Sequence, residues 1–397
     1  MISRRDMLKR SGAALAGLAA LQPTWPRPAG SRQDEEDLTQ YVDPFIGSDA
    51  HGHTYPGANL PFGMVQLSPD NGVNGWDWSS GYHRSSDRIA GFSHTHLSGT
   101  GIGDMYDLLF MPTFTDGAPI GDYSSSFSHE RERAEPGYYS VELLDTGITA
   151  ELTATERVGL HRYVFPAPPR SRQASVVVDL GHSLNWDRPT DTRITVESPT
   201  LISGHRMSTG WAPDQRVYFA ASFSRPYRDH WLESEWTTSP ARKELQGTHV
   251  KGCFQFMGSS TQPLVVKVAI SPVSIEGAKR NLRQEAPSWN FDEVCRQALE
   301  IWNRALHCVQ VKTANREEKV LFYTALYHAF LAPQLFCDVD GAYRGPDGET
   351  HSAGGFQNYT VYSLWDTFRA EHPLLTLLQP ERVDDLIQSM MAFYREG

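Results

Sequence analysis

The chain has 397 residues, 40% of them hydrophobic and 21% charged, which suits a folded globular protein and excludes a disordered one. A formal net charge of −11 without a long basic run excludes nucleic acid and anionic membrane surfaces as expected partners, since both are held by clustered Lys and Arg. At this length two domains with extensions are expected rather than one.

The N-terminus reads MISRRDMLKRSGAALAGLAALQPTW. Basic residues run to Arg10, and an apolar stretch follows from Ala13 to Leu21. A membrane-spanning helix needs ~20 apolar residues, so this stretch is too short to span and fits a signal-peptide core instead. Ser3-Arg4-Arg5-Asp6-Met7-Leu8-Lys9 resembles a twin-arginine export signal, with Met7 where Phe is usual. The protein is therefore expected outside the cytoplasm, periplasmic or extracellular, with no membrane insertion after signal removal. Residues 26–37 (PRPAGSRQDEED) read as a polar linker, so signal and linker together take residues 1–37.

From Tyr41 to about Pro272 the pattern is β. Short alternating or β-branched runs such as GYYSVELLDTGITAELTATERVGLHRYVF, ASVVVDLGH, RVYFAASFS and QPLVVKVAIS are separated by turn formers. Regular short strands of this kind predict an antiparallel β-sandwich over 38–275.

After Val273 the period becomes helical. FDEVCRQALEIWNRALHCVQ places Val294, Ala298, Ile301, Trp302 and Ala305 on one face. EKVLFYTALYHAFLA is almost wholly apolar or aromatic and predicts a helix buried between neighbours. SLWDTFRAEHPLLTLL starts with Ser363 as N-cap and Asp366 three residues on, a capping-box variant, and Pro373 inside it implies a kink or break. PERVDDLIQSMMAFYR opens with Pro at its first position and acids in its first turn, the marks of another helix. Helices are thus expected from about residue 276 onward.

The four cysteines (Cys253, Cys295, Cys308, Cys337) are widely spaced, which excludes a zinc ribbon and a disulfide-dense scaffold. One or two disulfides and free thiols both stay open.

Polar motifs gather in the first half. In GFSHTHLSGTGIGD, His94 and His96 would share a face of a strand, as in some metal sites, with His51 and His53 as further ligands. The alternative is loop histidines bonded to backbone or ligand. Ser98 does not fit a G-x-S-x-G elbow, because Leu97 precedes it and His96 takes the place of the first Gly. Gly99, Gly101 and Gly103 lead into Asp104, Asp107 and the apolar run LLFMP and not into a helix, so a close-approach loop fits better than a phosphate cradle. Trp76-Asp77-Trp78 lies among turn formers, where an indole either packs under the loop or forms a sugar platform. Trp365 and Asp366 open a helix, and Arg369 at i+3 either pairs with Asp366 or joins it in facing a cleft.

Three long segments carry a resemblance: YVDPFIGSDAHGHTYPGANLPFGMVQLSPD, GWDWSSGYHRSSDRIAGFSHTHLSGTGIGDMYDLLFMP and YSLWDTFRAEHPLLTLLQP. In this order they resemble glycoside hydrolase family 92, the calcium-dependent exo-acting α-mannosidases, from about Tyr41 to Gly397. The resemblance implies an N-terminal β-sandwich, a helical linker over 276–314 and a catalytic (α/α)6 toroid that starts at 315. Residues 315–397 are too few for six helical hairpins, which need roughly 200 to 350 residues, so the toroid is expected to be truncated and this piece inactive alone.

By the same resemblance the reaction is hydrolysis of terminal α-linked mannose, α-1,2 by expectation, from mannans or N-glycans with inversion. Two carboxyl groups ~6.5–9.5 Å apart would serve as acid and base. Neither these nor the ligands of calcium, which prefers oxygen, match a motif in residues 1–397. The resemblance places Asp366 with Trp365 and Arg369 at the terminal mannose, and sets Trp76, Trp78, His94 and His96 on the sandwich side of a pocket between the domains. The expected partners are mannose-containing glycans, and the sequence fixes no oligomeric state. Three alternatives stand beside this: another mannosyl linkage or a mannosyl-phosphate diester, a non-catalytic sugar-binding sandwich, and an exported metal redox protein using His51, His53, His94 and His96.

Overall fold

Alternation of buried and open side chains lays down the strands. In Tyr138–Leu143 every second residue (Tyr139, Val141, Leu143) points inward, and Ile148–Ala154 beside it repeats the period. The structure, a computed structural model, describes residues 36–397 except 118–119, 170–171, 236, 241 and 258–261. The export signal read near the N-terminus lies outside the described residues.

Two large antiparallel sheets form the first part. The eight-stranded sheet runs, in spatial order, Ala58–Asn59, Gln66–Asp70, Gly91–Ser93, Leu109–Thr115, Gln173–Asp179, Lys251–Phe256, Asp229–Ser234 and Thr237–Pro240. The nine-stranded sheet runs Glu244–Gly247, Arg188–Ser198, Leu201–Thr209, Gln215–Phe223, Leu264–Ser271, Val158–Val164, Ile148–Ala154, Tyr138–Leu143 and Glu132–Glu135. One core is shared between them. Phe92, Phe110, Val176 and Phe254 come from the first sheet, and Tyr139, Leu152, Tyr163 and Val268 from the second.

Strands give way to helices just after Ser271. Helix α1 (Ile275–Glu285) starts where the Ser274 hydroxyl accepts the Gly277 N–H. Helix α2 (Phe291–Leu306) is capped by Asn290 and α3 (Arg316–Ala329) by Asn315. Ala278 and Leu282 of α1, with Phe291 and Val294 of α2, cover Val158, Leu160, Ala220 and Ala269 on the outer face of the nine-stranded sheet. The predicted face of α2 holds at Val294, Ala298 and Trp302, whereas Ile301 is exposed. Helix α3 departs from expectation: Tyr323, Leu326 and Tyr327 are buried, but Leu321 and Phe322 are exposed, so it is covered on one side only.

Between α3 and the next helix the sequence reading assigned nothing. The chain there forms two small ladders, Gln334–Leu335 with Tyr359–Thr360 and Ala342–Arg344 with Thr350–Ser352. The stretch from Ser363 is two helices, α4 (Leu364–Thr367) and α5 (Glu371–Leu378), followed by α6 (Pro380–Glu396). The break falls before Pro373, which sits in the first turn of α5 where its missing N–H is harmless. The expected cap also differs. Ser363 has φ 28° and makes no cap bond; its hydroxyl donates to the Asp366 carboxylate at 2.5 Å instead.

All four cysteines are free. Among the described residues no helix is long and apolar enough to cross a membrane.

Candidate active site

A cleft of about 330 Å³ opens between the sandwich loops and the segments that follow α3. Leu97, Ile102 and Met105 line one side, and Gln334, Phe336 and Val361 the other. Its backbone is strained. Met105 (φ 84°) and the β-branched Val361 (φ 63°) adopt left-handed conformations that such residues avoid, and Ser363 (φ 28°) follows two positions on. Strain of this kind persists where surrounding structure over-determines it, which is common at ligand sites.

Trp76 and Trp78 divide the two alternatives open to them. Their short 3₁₀ turn, Trp76–Trp78, leaves Trp76 54% exposed. Trp78 is half-buried, donates its indole N–H to the Ser86 hydroxyl at 2.8 Å and packs on His83. Trp76 is steadied by the edge of His53, with ring centroids 4.3 Å apart, and by His51 at 5.1 Å. His51 in turn meets Asp77 at 2.5 Å. His53 is itself in a left-handed conformation (φ 54°), and burial lowers its pKa. Gly101 passes directly under Trp76, where a Cβ would overlap the indole nitrogen. The close-approach reading of the glycine loop is thus realised at this residue.

His94 and His96 are placed otherwise than expected. The strand Gly91–Ser93 ends just before them, and both side chains turn into the sandwich, fully buried. His94 Nδ1–H donates to the Leu108 carbonyl at 2.7 Å, while its Nε2 lies 3.1 Å from His161 Nε2. His161 Nδ1 accepts from the Tyr163 hydroxyl at 2.8 Å. With both rings neutral one proton arrangement satisfies this chain: His161 Nε2–H donates to His94. Burial agrees, pushing His94 down to about 3 and His161 well below its ordinary value.

His96 has a different company. Its Nδ1 faces the Gln66 carbonyl at 2.7 Å and its Nε2 the Asp70 carboxylate at 2.8 Å, so both ring nitrogens meet acceptors. Asp70 also accepts from His182 Nε2 at 3.0 Å. Burial alone would raise the Asp70 pKa, but the His96 charge and the bonds from both histidines outweigh it and hold the carboxyl well below its usual range. Neither His94 nor His96 is open to a sugar. Their hydrogen bonds are spent on supporting the loop from within, and the Gln334 side chain ties that loop to the far side of the cleft by donating to the His96 carbonyl at 3.0 Å.

The four histidines of the metal alternative are therefore not gathered together: His51 and His53 share Trp76 and Asp77, while His94 and His96 are buried in the sandwich with partners of their own. Among the described residues no group of three or more His, Cys, Asp or Glu is arranged to hold a metal ion. Calcium, which prefers several oxygen ligands, likewise has no such cluster among the described residues.

On the helical side Trp365 is 77% exposed and Asp366 is exposed at the start of α4. Arg369 does not pair with Asp366; its guanidinium lies over the Phe368 ring, 5.3 Å from the centroid. Asp366 thus keeps acceptor capacity beyond its bond from Ser363. Sequence reasoning missed Asp70, His161 and Gln334. Only the Ser-Pro-Asp turn signal at Asp70 marked any of them, and no local pattern reveals partners so far apart in the chain.

Exposed indoles and an open carboxylate at the edges of a sandwich-plus-helix architecture are groups suited to a sugar ligand. Residues 41–271 match the glycosyl hydrolase family 92 N-terminal domain and residues 277–397 the family 92 catalytic domain. The chain belongs to glycosyl hydrolase family 92.

A family GH92 α-mannosidase from Bacteroides thetaiotaomicron is 38% identical, with a TM-score of 0.85 over 91% of this chain and 50% of its own. It has also been solved in complex with mannoimidazole. A family GH92 inverting mannosidase from the same organism is 28% identical, with a TM-score of 0.79 over 91% of this chain and 49% of its own. An uncharacterized secreted glycosidase of Arthroderma benhamiae is 26% identical over 370 residues, 85% of this chain and 46% of the relative. The chain thus spans about half the length of these relatives.

Proposed function

We propose that the protein is an exported exo-α-mannosidase, releasing terminal α-linked mannose, α-1,2 in the first instance, from mannans or N-glycans. The observation that carries this reading is the match of both halves of the chain to one glycosidase family, with an α-mannosidase at 38% identity among the relatives. The exposed pair Trp365–Asp366 supports it: an open carboxylate accepts hydroxyl hydrogen bonds while the adjacent indole offers an apolar face to sugar C–H groups. Trp76 offers a second such face from the sandwich. Export follows from the N-terminal signal motif and agrees with the secreted fungal relative.

The second segment is proposed as the start of an (α/α)6 toroid. The acid that protonates the leaving oxygen and the base that activates water are assigned to no residue in 1–397, and calcium is proposed for the intact enzyme only. The test is the anomer released from α-1,2-mannobiose by the intact protein, followed by NMR. β-Mannose as first product is expected. α-Mannose would refute inversion, and no mannose from any α-mannoside would refute the substrate class. Chelation should abolish turnover and calcium restore it; full activity after chelation would remove the cation.

A further inference from the structure

Two more indoles stand exposed beside the cleft. Trp186 is 46% exposed and Trp211 71%, with ring centroids 6.3 Å apart and planes tilted by 42°. Both sit on firmly held backbone. Trp186 N–H donates to the Gly103 carbonyl at 3.1 Å. The two oxygens of Asp104 accept from Trp211 N–H and Ala212 N–H at 2.9 and 2.7 Å. Gly210 lies so close that a Cβ would overlap the same carboxylate.

Trp76 belongs to the same arrangement. Asn185, next to Trp186, accepts from Gly75 N–H at 2.7 Å, and its own N–H donates to Asn74 Oδ1 at 2.7 Å. The segment Gly101-Ile102-Gly103-Asp104 therefore mounts three indoles in succession: Trp76 against Gly101, Trp186 on Gly103 and Trp211 on Asp104. Of these, Trp211 also lines the cleft.

We propose that Trp186 and Trp211 form a stacking platform for the inner sugar units of a mannan chain whose terminal unit occupies the candidate active site. This rests on the mannosidase reading above. Indole faces stack on the C–H faces of pyranose rings, and two tilted rings suit successive units that are not coplanar. The surrounding charges favour a neutral polyhydroxyl ligand over a lipid or an apolar protein face. Arg216 pairs with Asp214 at 2.9 Å and Arg344 reaches the same carboxylate at 3.4 Å; with Asp104, which also lines the cleft, two guanidiniums are offset by two carboxylates. Anionic lipid would call for surplus positive charge instead.

The test is affinity electrophoresis of the intact protein through gels containing mannan, with dextran gels as control, for wild type, Trp186→Ala and Trp211→Ala. Wild type should be retarded by mannan alone, and each variant should bind at least fivefold more weakly, with unchanged thermal unfolding. Acrylamide quenching in the intact wild type should show both indoles open to solvent. Equal retardation of all three proteins, or indoles shielded by the protein itself, would overturn the platform. If wild type also hydrolyses an aryl α-mannoside, that result leaves the mannosidase reading standing. Retardation lost in both variants, from a wild type that hydrolyses no mannoside, would uphold the platform and overturn the hydrolytic reading.

Discussion

His94 and His161 face each other across the sandwich, with their Nε2 atoms 3.1 Å apart, one donating and the other accepting. His161 stands on a strand of the nine-stranded sheet, and His94 follows directly on a strand of the eight-stranded one. The pair is a polar joint buried between the two sheets, and this proton arrangement requires both rings to be neutral.

Acid should therefore loosen the fold. In the unfolded chain each ring takes a proton near pH 6.5, whereas folded His94 resists until about pH 3 and His161 resists also. Between these limits the unfolded state binds more protons. Stability is then full above about pH 6.5 and falls as pH drops, by up to about 1.4 kcal/mol per pH unit for each ring. Glu371, raised by burial from 4.5 to about 7, acts in the opposite sense: its contribution is full below 4.5 and fades as pH rises through 7. Urea unfolding of wild type and His161→Phe from pH 4 to 7 separates the two. The variant should show a shallower loss on acidification, and parallel curves would mean that the rings titrate normally.

Removing the Gln334 side chain should open the join between sandwich and cleft floor. In Gln334→Leu the His96 carbonyl loses its donor inside the protein, at a cost of about 1–3 kcal/mol. An unchanged urea midpoint would show that the bond contributes nothing.

Asp366 is the carboxylate proposed to meet the terminal mannose. Asp366→Ala in the intact enzyme should lower mannoside turnover at least tenfold, equivalent to ~1.4 kcal/mol. Kinetics equal to wild type would take Asp366 out of the site.

Gly101→Ala tests the loop under Trp76. The new methyl would displace an exposed indole and not backbone, so the fold should keep its stability while KM for mannosides rises severalfold. A fall in thermal stability with unchanged KM would mean that the glycine serves packing alone.

The sandwich was legible because its code is local. Alternation in Tyr138–Leu143 needs no distant information, and neither does the helical period of α2 at Val294, Ala298 and Trp302. Trp76 was legible too, as an indole among turn formers. The histidines were not. His94 and His96 look like surface residues until one knows that His161 lies 67 positions from the first and Gln334 238 from the second. The Ser363 cap failed for a related reason: Asp366, read as its capping partner, took the hydroxyl for itself.

The seam below α2 has a consequence for how such a protein could be rearranged in evolution. Trp302 is fully buried, packs at a tilt against Tyr327 with ring centroids 4.5 Å apart, and donates its indole N–H to the Asn59 carbonyl at 2.8 Å. Phe62 exchanges backbone bonds with Phe330 and Leu335 in the same place. A sandwich excised at the last strand and grafted elsewhere would bare Asn59, Phe62 and the underside of the histidine loop together. These two parts are poor candidates for shuffling as separate modules, and a lineage that kept one would be pressed to keep the other.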